Sequence, residues 1–342
     1  MAKLRVGLQT PLLGADMKIC LVLPYFGKFP GYFSFWLRSC AYNTTIDFLI
    51  FTDNRPSSSC PKNVRYEVLS FDEFREKIAT CFDFKIALER PYKLCDFKPA
   101  YGLALSKYLK GYDFWGHCDC DLIFGDIRKF ITDEVLNKYD RILTRGHLTI
   151  YRNNDFSNKF FMRELKDVPN WRDVFANPRA FSFDEWGGTS VLWRELAPDR
   201  LCDDIFYDDI MCSRKEFVSS QKLRFLPWER QKDYCMFSFS GESGLVRWYV
   251  DIRDNIVKSE PSCYVHFQKR PMAVNTSNNM AYSIVPNEFI DLRVPNLKFL
   301  RMVACHRLIY WHYLWIRLGN LKRKVLSRIK SKVGVKFNSL RE

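Results

Sequence analysis

An α/β fold, with a mixed, mostly parallel sheet flanked by helices, is what the order of apolar runs predicts for this chain. Three observations carry the prediction. Apolar runs of strand length alternate with segments of helical spacing over the first 126 residues. Each of the early runs ends in a polar residue, Gly or Pro, as strands do when they deliver loops to one edge of a parallel sheet. The 342 residues, 47% hydrophobic and 16% aromatic, suffice for a substantial core and exclude a disordered chain.

The elements follow in order. Met17-Lys18-Ile19-Cys20-Leu21-Val22-Leu23-Pro24 reads as the opening strand, ended by Pro24. Residues 1–16 carry no comparable pattern. They are expected to be an extension ahead of a start at Met17, because residues 7–14 lack the sustained apolar run of a signal sequence. Residues 25–31 form a loop, and 33–40 have helical spacing. Residues 46–53 are a second strand ending in Thr52-Asp53, and 56–60 are turn-rich. A third strand is expected over 64–69, then a helix over 71–80 opened by Ser70 or Asp72. Another helix is expected over 100–109, with Pro99 suited to its first turn and Asp96 to a cap. Beyond Asp126 the pattern loosens, leaving strand candidates at 139–143, 148–152 and 264–267.

Asp119-Cys120-Asp121 closes the apolar segment that starts at Asp113-Phe114-Trp115. If the triplet ends a strand, alternation sends both carboxylates to one side. Like charges that close repel and invite a divalent cation. Hard oxygen ligands suit Mg2+ or Mn2+, ions that commonly hold a substrate diphosphate as well. Taken alone, such a triplet is also a common solvated turn. Here core-like residues flank it on both sides, at 112–115 and 122–124, where unpaired acids are costly. Ligands of parallel α/β sheets bind beyond the carboxyl ends of the strands, where Thr52-Asp53 and the triplet both fall.

The 12 cysteines are scattered and contain no Cys-x-x-Cys pair, and Cys118-x-Cys120 has no second pair to complete a zinc site. The thiols are expected to be core filler in a reducing cytoplasm. The net charge of +14 is concentrated at the end of the chain. From Lys298 onward twelve cations face one acid, Glu342, a local +11 that leaves +3 for everything before it. Residues 308–316 are apolar and aromatic but too short and interrupted to span a bilayer. Leu321, Val325, Ile329 and Val333 then recur at four-residue steps among Lys and Arg. That pattern describes a basic amphipathic helix lying on an anionic membrane surface. The bland alternative is a helix packed on the body of the protein. No nucleic-acid motif accompanies the charge, so nucleic acid is not an expected partner. Asp203-Asp204 and Asp208-Asp209 form a second acidic cluster without calcium-loop spacing, expected to be a solvated helix face.

Several segments together resemble a GT-A fold glycosyltransferase of the kind found in bacterial polysaccharide gene clusters. They are residues 21–26, 96–102, Trp115-Gly116-His117-Cys118-Asp119-Cys120-Asp121-Leu122-Ile123-Phe124-Gly125-Asp126, 183–186 and 266–270. The long form of the Asp-x-Asp segment is the specific one. The resemblance covers about residues 17–271. It implies a catalytic domain over 17–295, with a nucleotide half at about 17–126 and an acceptor half at about 127–295, ahead of a membrane-associating tail at 296–342.

The resemblance also implies a nucleotide-sugar donor, most often UDP-linked, and Mn2+ or Mg2+ held by Asp119, Asp121 and His266. Asp119 would also meet the donor, as would Lys269 through the phosphates, with Arg270 beside it. Tyr25, Thr52 and Asp53 would meet the nucleotide, and Asp96 and Lys98 the sugar or phosphate. Asp184 or Glu185 would be the general base on the acceptor hydroxyl; the usual order there is Glu-Asp, the reverse of this chain, so the resemblance leaves open which one acts. The acceptor would be a lipid-linked or growing glycan of a surface polysaccharide, handled at the inner face of the cell membrane. A nucleotidyltransferase of related fold would normally show a Gly-rich basic loop after the first strand, and Tyr25-Phe26-Gly27-Lys28 is a poor version of one. A membrane-surface scaffold without catalysis is the non-enzyme alternative.

Overall fold

The computed structural model describes residues 17–56, 60–185, 187–210, 217–219, 235–251, 253–270, 272–304, 318 and 321. The 1–16 extension, Trp186 and nearly all of the basic tail lie outside the described residues. Two compact units divide the chain, Met1–Phe206 and Tyr207–Glu342.

The first unit contains strands β1 (Ile19–Pro24), β2 (Ile46–Thr52), β3 (Val64–Val68), β4 (Phe114–Cys118), β5 (Leu122–Phe124), β6 (Arg141–Arg145), β7 (Leu148–Arg152) and β8 (Leu201–Cys202). Its helices are α1 (Phe33–Tyr42), α2 (Phe71–Ala79), α3 (Leu94–Phe97), α4 (Tyr101–Ala104), α5 (Asp133–Lys138), α6 (Asp155–Asn158), α7 (Trp171–Ala176) and α8 (Thr189–Leu196). Among the described residues seven strands form one sheet in the order β3-β2-β1-β4-β7-β6-β8. The β3-β2-β1-β4 half is parallel, and the β6–β7 hairpin adds the antiparallel part. The mixed, mostly parallel sheet expected from the sequence is therefore present.

The continuous apolar runs of β1 and β2 explain their central place, since a strand covered on both faces needs no alternation. Helix α2 begins where expected. Ser70 accepts from the Glu73 amide while Glu73 reaches back to the Ser70 amide, a complete capping box. One face of the sheet carries a core that joins Val22, Phe51, Phe74, Tyr101, Trp115, Tyr151 and Trp193. Each such buried side chain contributes roughly 1.5–3 kcal/mol of apolar burial.

The helix expected over 100–109 is not formed at that length. Residues 91–104 instead wind through short turns, Pro91–Lys93, α3, Lys98–Ala100 and α4. Pro99 lacks the amide that a continuous ladder needs. Lys93, Asp96 and Lys98 all turn inward rather than onto a solvated face. Asp96 caps no helix; it lies inside α3.

The second unit contains β9 (Asp208–Asp209), β10 (Val218–Ser219), β11 (Cys235–Ser240), β12 (Gly244–Asp251), β13 (Ile256–Pro261), β14 (Tyr264–His266), β15 (Ala273–Asn275), β16 (Ala281–Val285), β17 (Glu288–Asp291) and helix α9 (Leu297–Ala304). Six of them form a largely antiparallel sheet in the order β13-β12-β11-β16-β17-β15. Strand β9 pairs with β14 in parallel and with β10 in antiparallel fashion.

One expectation fails here. Asp208 and Asp209 are not on a solvated helix face; both are buried in a strand. Asp208 is held by Arg247 and Ser262, and Asp209 by His266 and Gln268, partners distant in sequence. The start of the basic tail packs one apolar face on the second unit and leaves Arg301 and Met302 exposed. Phe299, Leu300 and Val303 of α9 pack on Met236, Val250 and Val285. Farther along, Leu318 and Leu321 are helical and exposed, at 54% and 59%. No helix among the described residues is long and apolar enough to cross a membrane.

Candidate active site

The carboxyl ends of β1 and β2 bring the first expected residues together. The Tyr25 amide donates to the Phe51 carbonyl at 2.8 Å. The Gly27 amide donates to Asp53 at 2.9 Å, and Asn54 donates to the Thr52 hydroxyl and the Gly27 carbonyl. Tyr25 starts a stack of rings that continues through Phe29 and Phe33 to Trp36, with centroids 4.8, 3.7 and 5.2 Å apart. The buried Trp36 indole then donates to the Asp119 carbonyl at 3.2 Å. The half-buried rings of this stack therefore lead to the Asp-x-Asp turn.

Strand β4 ends at Cys118, so Asp119-Cys120-Asp121 is the turn beyond it and the pleat does not set its side-chain directions. The Asp119 amide is held by the His147 carbonyl at 3.0 Å. The Asp119 side chain is 29% exposed, and Asp121 is 5% exposed. Burial together with Cys120 and Asp121 pushes the Tyr25 phenol up to about 12. Tyr32 moves up as well, by burial and by Asp121. Asp121 thus shares its surroundings with two neutral phenols. Cys120 stays a protonated thiol, raised first by burial and then by its two flanking carboxylates.

Lys98 joins this turn to the other expected acidic pair. Its ammonium donates to Asp119 Oδ1 at 2.8 Å and to the Gly146 carbonyl at 2.7 Å, and lies 3.5 Å from Asp184 Oδ2. Burial works against the charge, but Asp119 and Asp184 outweigh it and hold the ammonium protonated. Glu185 accepts the Gly146 amide at 3.0 Å. A Cβ at Gly146 would lie 2.3 Å from Glu185 Oε1 and 2.5 Å from Asp184 Oδ2, so both carboxylates close on bare backbone at the β6–β7 turn.

The 182–188 loop that presents the pair is tightly wound. Ser182 is in the left-handed region at φ 54°, a cost of about 1–3 kcal/mol that the surroundings must hold in place. The Thr189 amide binds the Phe183 carbonyl at 2.7 Å, and a Cβ at Gly188 would fall 2.0 Å from that same oxygen. Asp184, 2% exposed, is pushed up to about 7. Burial is the main cause; Lys98 opposes it, while Glu185, Asp119 and Asp96 add to it.

Two buried cationic or basic groups lie behind these carboxylates. Arg141 is fully buried and donates to the Leu143 and Thr189 carbonyls and to the Ser190 hydroxyl. A bulge with Leu143 at φ 67° bends β6 around it. His117 stays neutral, its pKa lowered by burial and by Lys98 and Arg141.

The structure brings Tyr25, Thr52 and Asp53 into one group, and Asp119, Lys98, Asp184 and Glu185 into another. Asp96 is fully buried, with its oxygens engaged by Lys93 and by the Phe181 and Phe183 amides. His266 and Lys269 belong to the second unit. There His266 Nδ1 is 3.2 Å from Asp209 Oδ1, and Gln268 donates to Asp209 Oδ2 at 2.7 Å. Gln268 and Lys269 both adopt left-handed backbone, at φ 49° and 57°. Asp203 lies apart, bound by Thr144 and Arg194.

The donor chemistry fits a hard divalent cation at Asp119 and Asp121. They are two carboxylates one residue apart, and the intervening thiol is protonated and offers no competing thiolate.

Sequence reasoning missed Lys93, Gly146, Asp209 and Arg141. Gly146 had a signal, a short Arg-Gly-His break between two apolar runs of strand length, which is hairpin spacing. Lys93 stands one helical turn before Asp96, the spacing of an ion pair. Asp209 and Arg141 gave none, because their partners are remote in the chain.

A family described as "Family of unknown function (DUF6625)" matches residues 21–293, and the chain belongs to it. No curated protein matches the chain. Solved structures similar to it include the galactosyltransferase LgtC in complex with donor and acceptor sugar analogues, at 10% identity and a TM-score of 0.31, over 55% of this chain and 73% of that one. An active-site mutant of LgtC aligns at 10% identity and a TM-score of 0.36, over 75% and 88%. The glycosyltransferase GlyE of Streptococcus pneumoniae TIGR4 aligns at 10% and 0.30, over 56% of this chain and 45% of its own.

Proposed function

We propose that this member of a family of unknown function is a metal-dependent glycosyltransferase. It moves a sugar from a nucleotide-sugar, UDP-linked in the simplest case, to a lipid-linked or growing glycan. The observation that carries this reading is the Lys98 ammonium, which bridges Asp119 of the Asp-x-Asp turn and Asp184 of the acidic loop. A diphosphate-binding group and a proton acceptor are thereby held together beyond the carboxyl end of β4, where α/β sheets bind ligands.

In this reading the acceptor hydroxyl attacks the anomeric carbon, a carbon–oxygen bond forms, and the sugar–phosphate bond breaks. The nucleoside diphosphate leaves. Asp184 Oδ2 takes the hydroxyl proton, and its pKa near 7 suits that task at neutral pH. Asp119 and Asp121 would hold Mn2+ or Mg2+, which supplies positive charge against the charge growing on the leaving diphosphate. By the family resemblance His266 would be the third ligand and Lys269 the phosphate contact. Tyr25, at the end of the ring stack, offers a half-buried ring for a base to stack on, beside Thr52 and Asp53.

The products are surface polysaccharides made at the inner face of the cell membrane, which the basic residues beyond 304 engage. The test is a screen of nucleotide-sugars for metal-dependent hydrolysis and transfer. Turnover that needs metal and one class of nucleotide supports the reading. Undiminished activity in chelator, or no turnover with any donor, removes it.

A further inference from the structure

We infer that Lys93 and Asp96 act as a positioning pair, which sets where the 181–185 segment presents Asp184 and Glu185. The inference rests on the proposed transfer reaction and reassigns Asp96 from the donor contact expected of it.

Both side chains are fully buried. The Lys93 ammonium has three donors, and each has an acceptor: Asp96 Oδ2 at 2.7 Å, the Val174 carbonyl at 2.8 Å and the Arg179 carbonyl at 2.6 Å. It also sits over the Phe181 ring, 5.2 Å from its centroid. Asp96 in turn accepts the Phe183 amide on Oδ1 at 2.8 Å and the Phe181 amide at 3.0 Å on Oδ2. The pair therefore ties the 91–97 turn, the end of α7 and the segment leading to Asp184 at a single point.

The tie falls on either side of Ser182, the residue in left-handed backbone. A strained, exposed serine keeps that conformation only if its neighbours are fixed. Here the amide before it and the amide after it are both fixed by one carboxylate. One residue further, Asp184 reaches Lys98 and Glu185 reaches the Gly146 amide. A displacement of Phe183 moves both acids away from those partners. Asp96 has no spare role as a donor contact, because its two oxygens already serve an ammonium and two amides. A buried charge pair of this kind is often replaceable by apolar residues without loss of stability, so geometry is the property it supplies here.

The experiment compares Asp96→Asn with the wild type, with Lys93→Met as the second variant should the first not accumulate as folded protein. Two readouts are taken on the full chain: deuterium exchange of the 179–185 amides, and kcat and donor KM for sugar transfer. The positioning role predicts at least tenfold faster exchange confined to that segment, a kcat lowered about 30-fold or more, and a donor KM within about threefold of the wild type. A tenfold rise in donor KM with unchanged exchange would show that Asp96 touches the donor. Faster exchange with unchanged kcat would show that the pair only stabilises the loop. If the wild type transfers no sugar, the proposed function falls, while the exchange arm still decides whether the pair holds the loop.

Discussion

Replacing Lys98 by Met removes an ammonium that faces both Asp119 and Asp184, and the consequence is worked most directly as a pH-dependent loss of stability. At an effective dielectric constant of about 20, a pair at the 3.5 Å seen for Lys98 and Asp184 is worth about 5 kcal/mol before desolvation is subtracted. Breaking a buried pair by removing one partner typically costs about 3–5 kcal/mol. Asp184 escapes part of that cost by taking up a proton. Its folded pKa, about 7, already stands above its ordinary value of 3.8. For a group raised on folding, the stabilising contribution is complete below the unfolded pKa and is lost as pH rises through the folded one.

Without Lys98 the folded pKa rises further, so the loss continues to higher pH. The variant should therefore be destabilised by about 3 kcal/mol at pH 8.5, and by clearly less at pH 6, where Asp184 is neutral. At roughly 2–4 °C per kcal/mol, the unfolding midpoint of the first unit falls by about 6–12 °C at pH 8.5. Thermal unfolding of wild type and variant at the two pH values reads this directly. An equal fall at both would refute the ionic coupling of Lys98 to Asp184.

Gly146→Ala places a Cβ against both acids at 2.3 and 2.5 Å; a loss of about 100-fold in kcat is expected, with about 1–3 kcal/mol of stability from overpacking. Steady-state kinetics with thermal unfolding checks it, and unchanged kcat would detach the 146 turn from the chemistry. For the wild type, kcat/KM should rise with pH and level off above about 7, as Asp184 ionises, and Asp184→Asn should remove the activity rather than shift the profile. A pH–rate profile that survives in Asp184→Asn would assign the base elsewhere. Deletion of 305–342 should release the protein from membranes while leaving the second unit folded. Deletion from 297 should also lower its stability, because Phe299, Leu300 and Val303 leave the sheet. Cell fractionation and thermal unfolding separate the two, and a 305–342 deletion that stays on membranes would place the anchor elsewhere.

The parallel half of the sheet was legible in the sequence because its central strands β1 and β2 are largely apolar runs closed by Pro24 and by Thr52-Asp53. The start of α2 was legible too, through the capping chemistry of Ser70, one of the two openers expected. The antiparallel sheet of the second unit was not legible. Its edge strands, Ile256–Pro261 and Ala273–Asn275, are mostly exposed and read like loops. The helix expected over 100–109, with Asp96 as its cap, misled for a related reason: Lys93, Asp96 and Lys98 are buried through partners some 20–90 residues away, which local spacing does not show. Asp208 and Asp209 repeat the lesson, since only Arg247, Ser262, His266 and Gln268 make their burial tolerable. In the site, residue type and spacing pointed to Asp119 and Asp121, and the family resemblance implied Asp184 or Glu185. What links Asp119 to Asp184, a lysine hydrogen-bonded to the first and ion-paired with the second, is a property of the fold and not of any local pattern.

The central claim is that the Asp-x-Asp turn binds a nucleotide diphosphate through a divalent cation. Calorimetric titration of UDP into the full chain, with and without Mn2+, tests it most directly, beside Asp121→Ala under the same conditions. The account predicts binding that appears only with Mn2+ and is lost in Asp121→Ala, while the variant keeps its unfolding midpoint within a few degrees. Equal binding with and without the ion, or undiminished binding by Asp121→Ala, would contradict it.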